Sequence, residues 1–329
     1  MKTEGNLLEP TGGGLRCPEA NFFIDPWSPV ELAVITHAHA DHARPGCTRY
    51  LATPECARLL KARLGPDISV QELPYGEGLK LDGVRLSLHP AGHILGSAQV
   101  RLERNGEVWV VTGDFKRHPD PTCKPFEPLR CHTLITESTF GLPVFNWPDP
   151  LEVVADINAW WRKNKNQGLT SILFAYALGK AQRLAAEVDP GIGPIFTHGA
   201  VENMTAVYRE AGVRLHPTMP VSEIRHRDDF AGALVIAPPS AEGSTGVGTL
   251  APSRKAFASG WMQIRGNRRR RALDRGFVFS DHADWNGLLD TIFVSGAERI
   301  RVMHGFTMEV VRFLGEKGVA AEALGTVFT

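Results

Sequence analysis

The feature of this chain that most constrains its fold and chemistry is a cluster of metal-capable side chains within six residues. His37, His39, Asp41 and His42 form the pattern H-x-H-x-D-H, directly after the apolar run ELAVIT. Imidazole nitrogens and carboxylate oxygens are ligands for zinc and, with more oxygen donors, for manganese or iron. A core cannot hold such groups unpaired, because burying them without partners costs free energy. The pattern therefore predicts a metal site.

The spacing within the cluster favours two adjacent ions over one. Side chains alternate along an extended segment, so His37 and His39 point the same way. Asp41 and His42 begin the next helical turn and point elsewhere. One turn cannot wrap all four groups around a single ion, so each ion needs further ligands from other parts of the chain.

Further candidate residues lie where other strand-like segments end. These segments include VRLSLHPAGH, EVWVVTGD, HTLITES, GFVFSDH and RIRVMHG. The residues at their ends are His93, Asp114, Glu137, His282 and His304. Because strand ends gather at one rim of a sheet, where a rigid scaffold orients them, we expect these side chains to share one rim with His37, which ends the run ELAVIT.

The local patterns divide the chain into three parts. TPECARLLKARLG is typical of a helix that begins after Thr53 and ends at Gly65, and Asn105-Gly106 predicts a tight hairpin turn. The proline-rich stretch GLPVFNWPDP precedes a segment of alternating helices and strands with parallel-sheet character. We predict one domain from residues 1–145 and 275–329, with an inserted domain at 146–274.

Composition excludes several classes of protein. Apolar residues make up 43% and charged residues 22%, as in globular proteins, and the formal net charge is zero. A globally basic nucleic-acid coat is excluded, whereas a local basic patch is not. Five cysteines without a C-x-x-C pair argue against a disulfide framework. With no signal-peptide pattern and no membrane-length apolar run, we expect a cytoplasmic protein without membrane contact.

These motifs carry a resemblance to a known family. THAHADH, AGHILGS and TGDF resemble the metal-binding motifs of the metallo-β-lactamase superfamily, and ESTFG, FSDHADW and VMHG resemble the additional motifs of its β-CASP nuclease branch. The chain is most similar to bacterial ligase-associated DNA exonucleases. The resemblance implies an α/β fold, namely an αββα sandwich with an inserted α/β β-CASP domain.

The resemblance also implies roles for individual residues. It implies two divalent metal ions, zinc, manganese or both. The implied ligands are His37, His39 and His93 for one ion, Asp41, His42 and His304 for the other, and Asp114 as the bridge. His282 would give a proton to the leaving oxygen, and Glu137 would hydrogen-bond His282 and keep it charged.

Two acidic residues near His282 and a basic run need separate interpretation. Asp281 stands where many β-CASP sequences have a small residue, and the roles of Asp281 and Asp284 stay open. Candidate phosphate contacts are Arg265, Arg268, Arg269, Arg270, Arg271, Lys116 and Ser138, with Arg117 and Thr139 as further candidates. Arginine matches phosphate oxygens well, but a solvated basic loop is an equal alternative for the run.

The sequence thus predicts a metal-dependent DNA nuclease, with exonucleolytic end processing or repair as its role. An RNA-processing nuclease of the same branch is the alternative, because metal attack on the phosphate does not distinguish the sugars. A small-molecule (thio)ester hydrolase would share the metal motifs but leaves the inserted domain unexplained. A non-catalytic binding subunit does not fit a full set of seven ligands. A DNA ligase or helicase partner is implied by the resemblance alone.

Overall fold

The structure is a computed structural model that describes residues 6–224, 226–243, 247, 250, 252–264, 266 and 273–325. Internal contacts divide the chain into two units. Unit 1 comprises Met1–Pro119, Cys123–Phe145 and His282–Thr329, and unit 2 comprises Asp120–Thr122 and Asn146–Asp281. Strands and helices are numbered below in chain order.

Unit 1 contains two sheets. Sheet A has the strand order β1-β2-β3-β4-β5-β6, and sheet B has the order β19-β18-β11-β10-β9-β8-β7. The strands of sheet A are β1 Glu9–Thr11, β2 Gly14–Cys17, β3 Phe22–Ile24, β4 Leu32–Val34, β5 Arg49–Ala52 and β6 Val70–Glu72. Those of sheet B are β7 Gly78–Leu81, β8 Val84–Pro90, β9 Ala98–Arg104, β10 Glu107–Val111, β11 Thr133–Ser138, β18 Arg299–Gly305 and β19 Ala321–Ala323.

One apolar core joins the two sheets of unit 1. It contains Phe22 and Val34 from sheet A together with Val100 and Ile135 from sheet B. Leu134, the neighbour of Ile135, belongs to a different core, because successive strand side chains point to opposite faces. β11 is therefore buried on both faces, and all six of its residues are buried.

Helices cover the outer faces of unit 1. They are α1 Pro54–Leu64, α5 Trp285–Ser295 and α6 Thr307–Glu316. Leu288 on α5 and Val310 on α6 pack against Leu134 of sheet B, and α1 contacts β5 and β6. The predicted limits of α1 are confirmed: the Thr53 side chain accepts a hydrogen bond from the backbone nitrogen of Cys56, and Gly65 follows the last helical residue.

Unit 2 contains sheet C, whose strand order is β14-β13-β15-β12-β16-β17. Among the described residues, its paired strands are all parallel, which confirms the predicted parallel-sheet character. The strands are β12 Thr170–Phe174, β13 Ile195–Thr197, β14 Met219–Pro220, β15 Leu234–Ala237, β16 Ser253–Ala258 and β17 Arg275–Phe277. The helices are α2 Pro150–Lys165, α3 Lys180–Glu187 and α4 Gly199–Glu210. Apolar cores lie on both faces of the sheet, as a parallel sheet requires.

The strand ends differ from the prediction in two respects. The single rim is wrong, because the H-x-H-x-D-H loop follows β4 of sheet A, whereas Asp114 follows β10 of sheet B. The expected strand leading to His282 is also shorter: β17 ends at Phe277, and His282 lies beyond it without regular secondary structure. Local strand patterns do not reveal which sheet a strand joins.

Two turn glycines offer a stability test. Gly96 and Gly106 both have positive φ angles, of 73° and 85°, so alanine strains the backbone at either position. A Cβ atom on Gly96 would lie 2.3 Å from the backbone nitrogen of Cys56, whereas one on Gly106 would meet nothing within 4 Å. We expect Gly96→Ala to lower the free energy of unfolding by about 2 kcal/mol more than Gly106→Ala does. Urea unfolding measures both losses, and equal losses would contradict the expectation.

Among the described residues, no helix combines the length and the apolar character needed to cross a membrane.

Candidate metal centre

The H-x-H-x-D-H segment is held in place by backbone and side-chain hydrogen bonds. Beyond β4, the backbone nitrogen and hydroxyl of Thr36 donate to the Asp25 carboxylate at 2.8 and 2.5 Å. The backbone nitrogen atoms of His42 and Ala43 donate to the carbonyl of His39 at 3.2 and 2.9 Å, which forms the predicted helical turn. Arg63 on α1 donates to the carbonyl of Ala38 at 2.6 Å. These contacts orient the histidines on a fixed loop.

Four donor atoms converge beside this loop. His37, His39, His93 and Asp114 each offer one ligand atom, and these atoms all lie within 4.8 Å of one another. His39 Nδ1 lies 3.1 Å from Nε2 of both His37 and His93. Asp114 Oδ2 lies 3.5 Å from His37 Nε2 and 3.8 Å from His93 Nε2.

These spacings fit a tetrahedral ion. Donors bound at about 2.0–2.1 Å in a tetrahedron lie about 3.3–3.4 Å from one another. The four observed separations, 3.1, 3.1, 3.5 and 3.8 Å, bracket that value. Three imidazole nitrogens and one carboxylate oxygen form a donor set that suits zinc and related divalent metals. The residues therefore fit a bound metal ion at this position.

The second predicted ligand set is more open. His42 Nε2 lies 3.4 Å from Asp114 Oδ2 and 3.8 Å from Asp41 Oδ2. The rings of His42 and His304 have centroids 5.8 Å apart, and the Asp41 side chain is 63% exposed. Asp114 thus faces both sets, as a bridging residue would, but His304 is farther from the other donors.

The cluster shifts the pKa values of His37, Asp114 and His304 in directions that suit metal binding. His42 differs: burial lowers its pKa, but the carboxylates of Asp114 and Asp25 outweigh burial and raise that pKa well above its usual value. Burial, assisted by the neighbouring His42, holds the pKa of His37 well below its usual value, so its ring is neutral. Burial opposes the charged form of Asp114 too, but His42 and His282 outweigh it and hold its pKa well below the usual range. Burial also lowers the pKa of His304. Neutral imidazoles and an ionised carboxylate are the forms that bind metals.

His282 and Glu137 form a separate pair beside the cluster. His282 Nδ1 lies 3.0 Å from both carboxylate oxygens of Glu137, and His282 Nε2 lies 4.0 Å from Asp114 Oδ2. Glu137 is itself fixed, because it accepts hydrogen bonds from the backbone nitrogen of Phe115 at 2.8 Å and from the Thr139 hydroxyl. A carboxylate on Nδ1 favours the proton there, which leaves Nε2 to exchange a proton with a substrate.

The chain is similar in sequence to several known proteins. No protein-family model matches the chain. A Probable DNA ligase of Opitutus terrae is 31% identical over 95% of this chain, and an RNase J-like protein of Methanocaldococcus jannaschii is 26% identical over 61%. Other homologues are β-CASP nucleases that act on DNA in repair or on RNA in processing.

The chain belongs to the β-CASP branch of the metallo-β-lactamase superfamily. It spans only 30% of the length of the ligase and 57% of the length of the RNase J-like protein. A crystal structure of a protein of unknown function from Enterococcus faecalis aligns with 91% of this chain, and the alignment covers 80% of the Enterococcus chain. The TM-score is 0.61 and the sequence identity is 13%. That likeness supports the fold alone.

The predicted substrate contacts of this β-CASP chain are placed as follows. Lys116 and Ser138 are each only 1% exposed, and the Ser138 hydroxyl donates to the carbonyl of His304. Arg117 forms an ion pair with Asp290 at 2.5 Å. The other predicted contacts lie outside the described residues, namely Arg265, Arg268, Arg269, Arg270 and Arg271. The phosphate roles of all these residues stay predictions.

Sequence reasoning missed Asp25, which the structure places behind the metal cluster. Asp25 Oδ2 lies 2.8 Å from His42 Nδ1, the nitrogen that does not face Asp114. Asp25, His37 and His42 form a second group whose ligand atoms lie within 4.8 Å of one another. Asp25 directly follows β3, so the strand-end rule that selected the other acidic residues could have selected it as well. In the sequence, the following Pro26 indicated a turn, so Asp25 was interpreted as a turn residue.

The Asp25→Asn variant should weaken metal binding without unfolding the chain. A carboxylate behind a metal-binding histidine fixes the ring and raises its basicity, and its loss typically costs 10–100-fold in metal affinity. We expect a loss in that range, measured by competition with a chromophoric chelator. Asp67→Asn, at an exposed position in the same unit, is the matched control. Equal metal affinities for the two variants would contradict a supporting role for Asp25.

Proposed function

We propose that this chain is a two-metal-dependent DNA nuclease, an exonuclease that hydrolyses phosphodiester bonds in repair or end processing. The observation that carries the proposal is the His282–Glu137 pair, directed at Asp114 beside four converging metal donors. A metal cluster alone suits many hydrolases. A separate proton donor beside it suits substrates whose leaving group is a poorly acidic sugar hydroxyl.

The proposed architecture follows from the same family relation. Unit 1 corresponds to an αββα sandwich, in which sheets A and B are the inner layers. Unit 2 corresponds to an inserted β-CASP domain at 146–274, with the first domain at 1–145 and 275–329. The division by contacts places the return to unit 1 at His282, a few residues later than this proposal.

Each residue of the site has a chemical task in the proposal. Bound zinc or manganese ions would activate a water molecule and neutralise charge on the phosphate. One ion would be held by His37, His39, His93 and Asp114, and the other by Asp41, His42, His304 and Asp114. His282 Nε2 donates a proton to the departing sugar oxygen. Glu137 keeps the His282 ring oriented and stabilises its charged form through Nδ1.

DNA is favoured as the substrate because the homologue that covers 95% of this chain is named as a DNA ligase. That relation also supports a functional association with ligation, in which the nuclease trims ends before they are sealed. An RNA substrate is the second candidate, since the RNase J-like relative covers 61% of the chain. RNA selection would need contacts to the 2′-hydroxyl. A cytoplasmic location stays a prediction.

Paired digestion tests the proposal. End-labelled single-stranded DNA and RNA of matched sequence are incubated with the wild-type protein and added manganese or zinc, beside Asp114→Ala. Stepwise shortening of DNA with RNA spared supports the DNA exonuclease, and the surviving labelled end gives the polarity. Cutting of RNA alone would mean that the substrate is RNA rather than DNA. No cutting by metal-loaded protein would favour a small-molecule hydrolase.

A further inference from the structure

Two basic side chains on α3 are buried within unit 2. Lys180 and Arg183 are three residues apart and therefore lie on the same side of the helix. Only 4% of Lys180 and 2% of Arg183 are exposed. Buried charges are costly unless they are paired with good geometry, so the partners of these two residues matter.

Three consecutive residues, 279–281, are among their partners. Lys180 Nζ donates to Asp281 Oδ2 at 2.7 Å. Arg183 Nη1 donates to the carbonyl of Ser280 at 3.0 Å and lies 3.9 Å from Asp281 Oδ1. The guanidinium carbon of Arg183 lies 4.1 Å from the centre of the Phe279 ring. Lys180 and Arg183, here called the basic clamp, thus contact the ring, the carbonyl and the carboxylate of three successive residues.

The clamped segment leads directly into His282. β17 ends at Phe277, and residues 278–284 contain no helix or strand. Sheet hydrogen bonds therefore do not fix the backbone just before His282. The basic clamp contacts this segment up to Asp281, the residue that precedes His282 by one peptide bond.

The charges of the basic clamp are balanced within the protein. Arg183 Nε also lies 3.2 Å from Glu187 Oε2 and 3.8 Å from Asp120 Oδ2. Two cations thus face three carboxylates, and all five side chains are less than about a fifth exposed, at 2–17%. This balance and burial argue against a phosphate-binding role, which needs uncompensated positive charge that a ligand can reach.

We propose that Lys180 and Arg183, acting through Asp281, are positioning residues for His282. By fixing residues 279–281, they fix the backbone up to the peptide bond that leads into His282. Asp281 then serves as the acidic half of a buried ion pair with Lys180. The inference rests on the proposed function, in which His282 donates a proton.

The test replaces the buried pair rather than one partner. A single neutralisation leaves an unpaired buried charge, whereas apolar side chains of similar volume often restore stability. The double variant Lys180→Met/Asp281→Leu is compared with Arg209→Met/Glu202→Leu, which removes another ion pair of unit 2, 2.9 Å long. Lys180→Arg keeps the charge of the clamp and serves as the conservative variant.

Three quantities are measured on each metal-loaded variant: the melting temperature, kcat and KM on single-stranded DNA, and the ring resonances of His282 in protein labelled with 15N-histidine. His282→Ala identifies those resonances. We expect the clamp variant to stay folded with KM within about twofold and kcat lowered about 10–100-fold, as misplacement of a reacting group predicts. The His282 ring resonances should shift or broaden. The control pair and Lys180→Arg should keep both kcat and the His282 resonances.

The outcomes separate the two proposals. If His282→Ala is inactive while the clamp variant keeps kcat and the His282 resonances, the clamp proposal is overturned and the proposed function stands. If His282→Ala is fully active, the proposed function fails, whereas altered resonances still support positioning. If the clamp variant does not fold, Asp281→Glu, which lengthens the acidic side chain by one methylene, replaces it under the same criteria.

Discussion

The Asp114→Ala variant should lose bound metal and at least about a hundredfold in kcat/KM on single-stranded DNA, more than the loss of a supporting residue costs. Asp114 Oδ2 is the carboxylate oxygen nearest the centre of the cluster, 3.4–4.0 Å from nitrogens of four histidines. Without this carboxylate, both proposed ions lose the anionic ligand that they share. Metal content by atomic emission and digestion of labelled DNA measure the two losses.

The control for Asp114→Ala is Asp67→Ala, an exposed aspartate outside the cluster. It should keep wild-type metal content and activity. Circular dichroism of both variants checks that the fold is retained. An Asp114→Ala protein that holds its metals and digests DNA at the wild-type rate would refute the proposed site.

The His282→Ala variant should lose activity by a different route. A general acid typically contributes about 10²–10⁴-fold, so we expect kcat to fall within that range while metal content is unchanged. The loss should depend on the leaving group, because p-nitrophenolate departs without a proton and a sugar alkoxide does not. We expect a much smaller loss on a p-nitrophenyl phosphodiester than on DNA.

The comparison of the two substrates identifies the role of His282. His89→Ala is the matched control, since His89 hydrogen-bonds to Ser87 and Glu127 outside the metal cluster. An equal loss on both substrates would mean that His282 acts on the metals or on binding rather than as a proton donor. Loss of metal from His282→Ala would point to the same conclusion.

Local signals in the sequence predicted much of the secondary structure. Thr53 and Gly65 bound α1, and Asn105-Gly106 joins β9 to β10, because caps and tight turns depend on a few neighbouring residues. The parallel character of sheet C was readable from alternating strands and helices. The arrangement of strands into sheets A and B was not, since it depends on contacts between distant segments.

In the candidate site, too, local patterns were predictable from the sequence and contacts between distant residues were not. The H-x-H-x-D-H pattern and the later histidines and carboxylates predicted residues that the structure brings together, although their roles stay predictions. The burial of Lys116 was not predictable from the sequence, because it depends on tertiary packing. Nor was the Lys180–Asp281 pair, whose members are separated by 101 positions in the chain. Asp25 lay within reach of the strand-end rule but was attributed to a turn.

The discontinuous course of unit 1 has a consequence for protein synthesis. The four converging donors precede unit 2 in the chain, whereas His282 and the strand β18, which pairs with β11 and β19, follow it. A nascent chain therefore presents the residues for one metal ion well before the ribosome adds its proposed proton donor. Translation products that stop early would carry these donors but lack both strand β18 of sheet B and the proposed proton donor, so under the proposed function they would be catalytically silent.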